Sequence, residues 1–148
     1  VSEIDLTAAI TRLEAAVGAL RGRLRERLQV SGADLTVLQF VARAAAAERT
    51  VRVKDLTSHL GLSGPAVTGT VDRLERAGHL SRVPNPDDGR SRLIELTPET
   101  QRAYAAAMDS TNEHLHELLS SFSARESARY VRVIDRVVEA LECGAPTP

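Results

Sequence analysis

Aliphatic residues at Leu6, Ile10, Leu13, Val17, Leu20, Leu24 and Leu28 recur at steps of three and four. A strand needs steps of two, so this spacing predicts an amphipathic helix of about seven turns. The repeated four-three step is also a seven-residue register, which favours helices packing along one another, either within one chain or between two copies. Gly18 and Gly22 fall inside the helix and either weaken it locally or admit a close neighbour.

Most of the remaining chain has the same character. With two Tyr, two Phe and no Trp, the core must be built from Leu, Val, Ile and Ala, which favours helix-on-helix packing. A length of 148 residues with 43% hydrophobic and 26% charged side chains is that of one globular domain. No apolar run approaches the roughly 18 residues that span a bilayer, and the N-terminus lacks a signal-peptide pattern. Cys143 is alone, so no disulfide can form within the chain. Together these features predict a cytoplasmic protein without membrane contact.

Caps punctuate the helices. Ser31-Gly-Ala-Asp34 reads as a capping box opening a second helix, with Leu35, Leu38, Val41, Ala42 and Ala45 inward. Thr50 to Val53 is a short β-type run, and Asp55 to Leu60 a brief helix that Gly61 can end in the left-handed conformation. Ser63 caps the next helix, with Pro65 in its first turn and Gly78 at its end. Thr97-Pro98-Glu99 starts a long helix continuing through Leu115, Leu118, Leu119 and Phe122. A second box, Ser123 to Glu126, opens a last helix through Leu141, followed by a frayed Gly-Ala-Pro-Thr-Pro end.

One stretch breaks the helical pattern: V-P-N-P-D-D-G-R-S-R-L-I-E-L-T, Val83 to Thr97. It reads as a turn between two strand candidates, Leu80 to Val83 and Leu93 to Leu96, and so as a hairpin. Gly89 would permit its tight tip, and Asp88 could orient the Arg90 guanidinium. Turn chemistry accounts for Pro84, Asn85, Pro86, Asp87 and Gly89. It does not account for Arg90 and Arg92.

The hairpin follows a helix-turn-helix pattern between residues 53 and 78. At about 100° per residue, Val67, Val71, Leu74 and Gly78 of the second helix face inward. Pro65, Gly69, Asp72, Arg73 and Arg76 lie opposite, with Thr68 on the flank. Small residues near the N-terminus and arginines further along suit a major groove, although an ordinary solvent-facing helix has the same composition. A hairpin directly after such a helix is the wing of a winged helix, with Arg90 and Arg92 as cations for the narrow minor groove. The net charge of −1 is unevenly distributed: residues 49 to 92 carry eight basic and five acidic side chains, and residues 93 to 148 five and nine.

The run S-G-P-A-V-T-G-T-V-D-R-L-E-R-A-G-H-L-S-R, followed by D-D-G-R-S-R-L-I-E-L-T, resembles the multiple-antibiotic-resistance regulator (MarR) family over nearly the whole chain. The resemblance implies a single mostly helical domain, 1–148, with a small β-hairpin. A winged helix-turn-helix at 34–97 would be flanked by helical dimerisation regions, 1–30 and 98–143. It further implies a homodimer on near-palindromic duplex DNA, a repressor responding to a small aromatic or phenolic effector, with no other cofactor. Ser63, Pro65 and Thr68 would sit at the groove, with Gly69 on the same face. Arg73 would contact phosphate, and Asp88 and Arg90 would be the wing-tip pair. Arg76 joins the DNA-facing residues from its place on the helix face, and Arg92 either shares the role of Arg90 or lies along the wing's outer face. Gly64, Gly69 and Thr57 depart from residues common at those positions, which leaves the base sequence unread.

Other functions leave weaker traces. No nucleophile elbow, phosphate loop or paired metal motif is present, so no enzyme is expected. His114 and Glu117, at i and i+3, could share an ion, whereas His114 and His116 point about 200° apart. A solvated or hydrogen-bonded role fits these histidines better, and His59 and His79 read as structural. Cys143 is too isolated for an oxidant sensor. The alternative function is a winged helix used for protein contacts, with Arg73, Arg76, Arg90 and Arg92 as a docking patch.

Overall fold

A computed structural model describes residues 5–142, apart from the side chains of Ser110, Leu141 and Glu142. Leu141, Cys143 and the Gly-Ala-Pro-Thr-Pro end, to which the sequence assigns a packing position, a thiol and fraying, therefore lie outside the described residues or side chains. The elements run α1 (Leu6–Leu28), α2 (Gly32–Ala46), α3 (Val53–Leu60), α4 (Gly64–Arg76), β1 (Leu80–Asn85), β2 (Asp88–Leu96), α5 (Pro98–Ser120) and α6 (Ala124–Glu142). The chain divides into two compact units between Ala107 and Met108.

In the first unit, α1 begins where Asp5 accepts a hydrogen bond from the Ala8 N–H at 2.9 Å. It ends at Gln29, held in the left-handed conformation at φ 54°. Only the last part of its aliphatic stripe meets a core: Leu24 and Leu28 are buried, whereas Leu6, Leu13 and Val17 are exposed. Among the described residues nothing lies within 4 Å of a Cβ added at Gly18 or Gly22, so no neighbour within the chain packs closely at either. Arg21 ties α1 to α2, donating to Gln39 Oε1 and Thr36 Oγ1, both at 2.8 Å.

Ser31 caps α2 as expected, accepting from the Asp34 N–H at 3.1 Å. Leu35, Leu38 and Val41 are buried, but so are Val37 and Ala44, while Ala45 is exposed and Ala42 half-buried. The buried arc is wider than one stripe because α2 meets α1, α4 and β2. The expected β-type run at Thr50 to Val53 is not a strand. Val51 is buried and its carbonyl accepts one hydrogen bond, from the Ile94 N–H at 2.7 Å. A ladder cannot extend from it, because Asp55 takes the Arg52 N–H at 2.8 Å and starts α3 at Val53.

Gly61 ends α3 at φ 62°, and Gly78 follows α4 at φ 78°. Both angles are left-handed and favour glycine. Val67, Val71 and Leu74 of α4 are buried together with Leu56, Leu80, Leu93 and Ile94, so the helix and both strands share one core. Gly78 itself is exposed. Thr97 joins the end of β2 to this unit: its Oγ1 donates to the Gly78 carbonyl at 2.8 Å and accepts the Thr100 N–H at 3.3 Å. His79 Nδ1 lies 3.1 Å from Thr100 Oγ1, a structural role as the sequence indicated. His59 stacks against Phe40 with ring centroids 4.5 Å apart.

In the second unit, Ser123 and Glu126 form the expected capping box. The Ser123 N–H donates to Glu126 Oε2 at 2.9 Å, and the Glu126 N–H to Ser123 Oγ at 3.3 Å. Phe122 lies beyond the end of α5 and packs on Tyr130, with centroids 5.0 Å apart. Leu115, Leu118, Leu119, Val133, Ile134 and Val138 are exposed. Within this unit the described residues therefore leave these apolar side chains uncovered.

Candidate nucleic-acid interface

The site is assembled from α4 and the hairpin. Ser63 caps α4 by accepting the Ala66 N–H at 3.4 Å, and Pro65 occupies the first turn, where no amide donor is needed. Ser63, Pro65, Thr68, Gly69, Arg73 and Arg76 are all exposed, opposite the buried Val67, Val71 and Leu74. The outer face is open for the reason the spacing predicts: three apolar side chains at helical intervals turn it outward.

The arginines of that face differ in their engagements. Arg76 Nε donates to the Asp72 carbonyl at 3.2 Å. Arg73, read from the sequence as a phosphate contact, donates through Nη2 to Asp34 Oδ1 at 2.5 Å. The Asp34 side chain is 10% exposed and that of Arg73 is 54% exposed, so the pair joins α2 to α4 with one partner inside and one at the surface. Burial opposes ionisation of Asp34, but hydrogen bonds from Arg73 and at Ser31, with the Arg73 charge, outweigh it. They hold the carboxyl below its ordinary 3.8.

A carboxyl depressed in the folded chain contributes stability that is complete above its unfolded pKa. That contribution is lost as pH falls through the folded value. Asp34→Asn should therefore lose less stability than the wild type between about pH 5 and pH 3. Urea midpoints across that range check this, and equal losses would remove Asp34 from the acid response.

The hairpin is longer than the sequence indicates, and its tip is built differently. Leu80↔Leu96 through Pro84↔Arg92 pair antiparallel, then the register shifts so that Asn85 faces Asp88. Pro84 has no N–H to donate to the ladder, and the shift falls immediately after it. Gly89, Arg90 and Ser91 consequently have no cross-strand partner. The turn is Pro86-Asp87, and Gly89 lies in β2 without a positive φ, so it does not make the tight tip.

Side chains supply what the ladder lacks. Asn85 Oδ1 accepts the Asp87 N–H at 3.1 Å, and Asn85 Nδ2 donates to Ser91 Oγ at 2.8 Å. Ser91 Oγ donates to the Asp88 carbonyl at 3.2 Å. Asp88 Oδ1 accepts the backbone N–H of Arg90 at 3.1 Å, not its guanidinium. Asp88 thus shapes the backbone carrying Arg90 and does not orient the charged head. Arg90 and Arg92 are exposed, and no described residue engages either guanidinium in a hydrogen bond or ion pair.

Arg82 went unread in the sequence. Its Nη2 donates to Asp72 Oδ1 at 2.5 Å, and its Nη1 donates to Glu75 Oε2. Its backbone N–H donates to Glu75 Oε1 at 3.3 Å. Two carboxylates at i and i+3 on a helix, with an arginine on the next strand, were a usable signal. Asp34 offered less, because its partner is 39 residues away. Among the described residues no group of three or more His, Cys, Asp or Glu is arranged to hold a metal ion. His116 Nε2 lies 3.5 Å from Ser120 Oγ. No helix among them is long and apolar enough to cross a membrane.

A short helix, a left-handed glycine turn, a Ser-capped helix with an open outer face and an antiparallel hairpin define a winged helix-turn-helix, a DNA-binding class. A family model described as MarR family matches residues 28–91. Over 115 residues the chain is 30% identical to the multiple antibiotic resistance protein MarR of Salmonella typhimurium, spanning 74% of this chain and 77% of that one. It is 27% identical over 118 residues to the transcriptional activatory protein BadR of Rhodopseudomonas palustris, spanning 76% and 67%. The fold also matches an S. aureus MepR mutant bound to an oligodeoxyribonucleotide, with TM-score 0.58, 19% identity and coverage of 94% and 99%. The chain belongs to the MarR family. It is a DNA-binding transcriptional regulator, and its relatives are regulators rather than enzymes.

Proposed function

We propose that this chain is a cytoplasmic, ligand-responsive repressor that binds a near-palindromic duplex site as a homodimer. The α4 face of Ser63, Pro65, Thr68 and Gly69 enters the major groove, Arg73 and Arg76 reach phosphates, and the wing tip enters the flanking minor groove. The observation that carries this reading is the wing tip. Three residues lie outside the strand ladder, hydrogen bonds of Asn85, Asp88 and Ser91 shape them, and Arg90 projects from their centre with its guanidinium unengaged.

Arg73 keeps a place in the scheme because its side chain is half exposed while paired, so its remaining N–H groups can still donate. Homodimerisation is supported by exposed Leu6, Leu13 and Val17 on α1 and by the uncovered apolar residues of α5 and α6. Two recognition helices about one DNA turn apart would then read two half-sites. The effector, a small aromatic or phenolic molecule, rests on family membership alone. Repression is preferred over activation on the same ground, although the relative BadR is named an activatory protein.

The experiment is duplex binding by fluorescence anisotropy, using the tightest duplex that the wild-type protein selects from a random pool. Affinity should fall steeply with salt, as phosphate contacts release counterions. Arg90→Ala should cost about 1–3 kcal/mol of binding with folding unchanged. Absence of duplex binding at low salt would return the chain to the other reading, a winged helix that docks on protein.

A further inference from the structure

We propose that Arg82 is a positioning residue for DNA reading: it locks the wing to the recognition helix, and the contribution of Arg90 depends on it. The proposal rests on the wing tip being a DNA reader. Arg82 lies on β1 and its guanidinium joins two α4 carboxylates, Asp72 and Glu75, while its own backbone N–H is held by Glu75. The two acids stand at i and i+3, so one face of α4 offers both to a single planar fork. They alternate along the helix with Arg73 and Arg76, the residues assigned to phosphate. The arginine that fixes the hairpin and those that reach DNA thus share one helix.

The hairpin needs such a restraint. A two-stranded ribbon is marginal by itself. Its base is held here by buried Leu80, Leu93 and Ile94. On β2 and just beyond it, hydrogen bonds from the Ile94 N–H to the Val51 carbonyl and from Thr97 Oγ1 to the Gly78 carbonyl add to this, which leaves Arg82 as the side chain that ties β1 to α4. Apolar burial is non-directional, whereas a forked guanidinium between two carboxylates fixes an angle. Asn85, where the tip begins, is three residues beyond Arg82, about 10 Å at the rise of a strand. A swing of roughly 10° at the base would displace the tip by about 2 Å, more than a hydrogen bond tolerates. The side chain of Arg82 is 25% exposed, so its engagement faces inward, while Arg90 and Arg92 face solvent.

A double-mutant cycle tests this on the full chain with the selected duplex. In the wild type, Arg90→Ala should weaken binding by about tenfold or more. In Arg82→Met, and separately in Asp72→Ala/Glu75→Ala, adding Arg90→Ala should cost no more than about twofold. Arg76→Ala should keep its wild-type penalty in both backgrounds. Electrostatics alone predicts otherwise: removing two carboxylates beside the phosphates should tighten binding and leave the Arg90 factor untouched. Circular dichroism and thermal melts report folding, and the carboxylate variant carries the test if Arg82→Met does not fold. A full Arg90 penalty in both backgrounds overturns the positioning role while leaving the wing as a reader. A wild-type protein indifferent to Arg90→Ala overturns the wing reading, and this proposal with it.

Discussion

On the proposed homodimer, Leu13→Asp and, separately, Ile134→Asp should each favour monomers and lower duplex affinity by about 10²–10⁴-fold. Both side chains are largely exposed in the single chain, at 62% and 59%, so neither change removes a packed core residue. An aspartate on a solvated helix face costs only a few tenths of a kcal/mol in propensity. Between two subunits the same carboxylate would have to be buried without a partner, which an interface does not tolerate. DNA binding falls with dimerisation because the second half-site contact is then no longer intramolecular. Analytical ultracentrifugation and anisotropy on the same samples measure both quantities. Wild-type protein that is monomeric at micromolar concentration, or variants that still dimerise and bind, would remove α1 and α6 from the proposed interface.

Leu38→Ala should lower unfolding stability by about 2–5 kcal/mol. Leu38 is fully buried on α2, so its truncation leaves a cavity in the core that this helix shares with its neighbours. Leu62→Ala is the matched control. Leu62 is 47% exposed in the turn between α3 and α4, and its loss should change stability by no more than about 0.5 kcal/mol. Urea unfolding at one fixed protomer concentration separates the two, since self-association adds a concentration-dependent term to apparent stability. A Leu38 variant as stable as the Leu62 variant would show that the core closes around the loss.

These expectations draw on different levels of the molecule. The helix starts at Ser31, Ser63 and Ser123, the glycine endings at Gly61 and Gly78, and the existence of a hairpin were legible in the sequence. Each depends on contacts within a few residues, where cap hydrogen bonds and dihedral preferences act without help from distant chain. The inward face of α4 was legible for a related reason: one apolar stripe on a helix with one buried side has a single way to turn. On α2 that logic failed at Val37 and Ala44, because three neighbouring elements widened the buried arc.

The site divides along the same line. The exposure of the outer α4 face and of the wing arginines could be read from residue type and order alone. What Arg73 and Arg82 do could not, because charge is visible in a sequence and pairing is not. Arg73 meets Asp34 across 39 residues, and Arg82 meets Asp72 and Glu75 only once β1 folds back on α4. At the wing tip, Gly89 looked like the turn former, but the register shifts between Pro84 and Asn85 and the turn is Pro86-Asp87. Local chemistry therefore determined which elements form and which side chains they carry. Tertiary structure decided which of the arginines remain available to a ligand, because an ion pair depends on distances that only the packed chain sets.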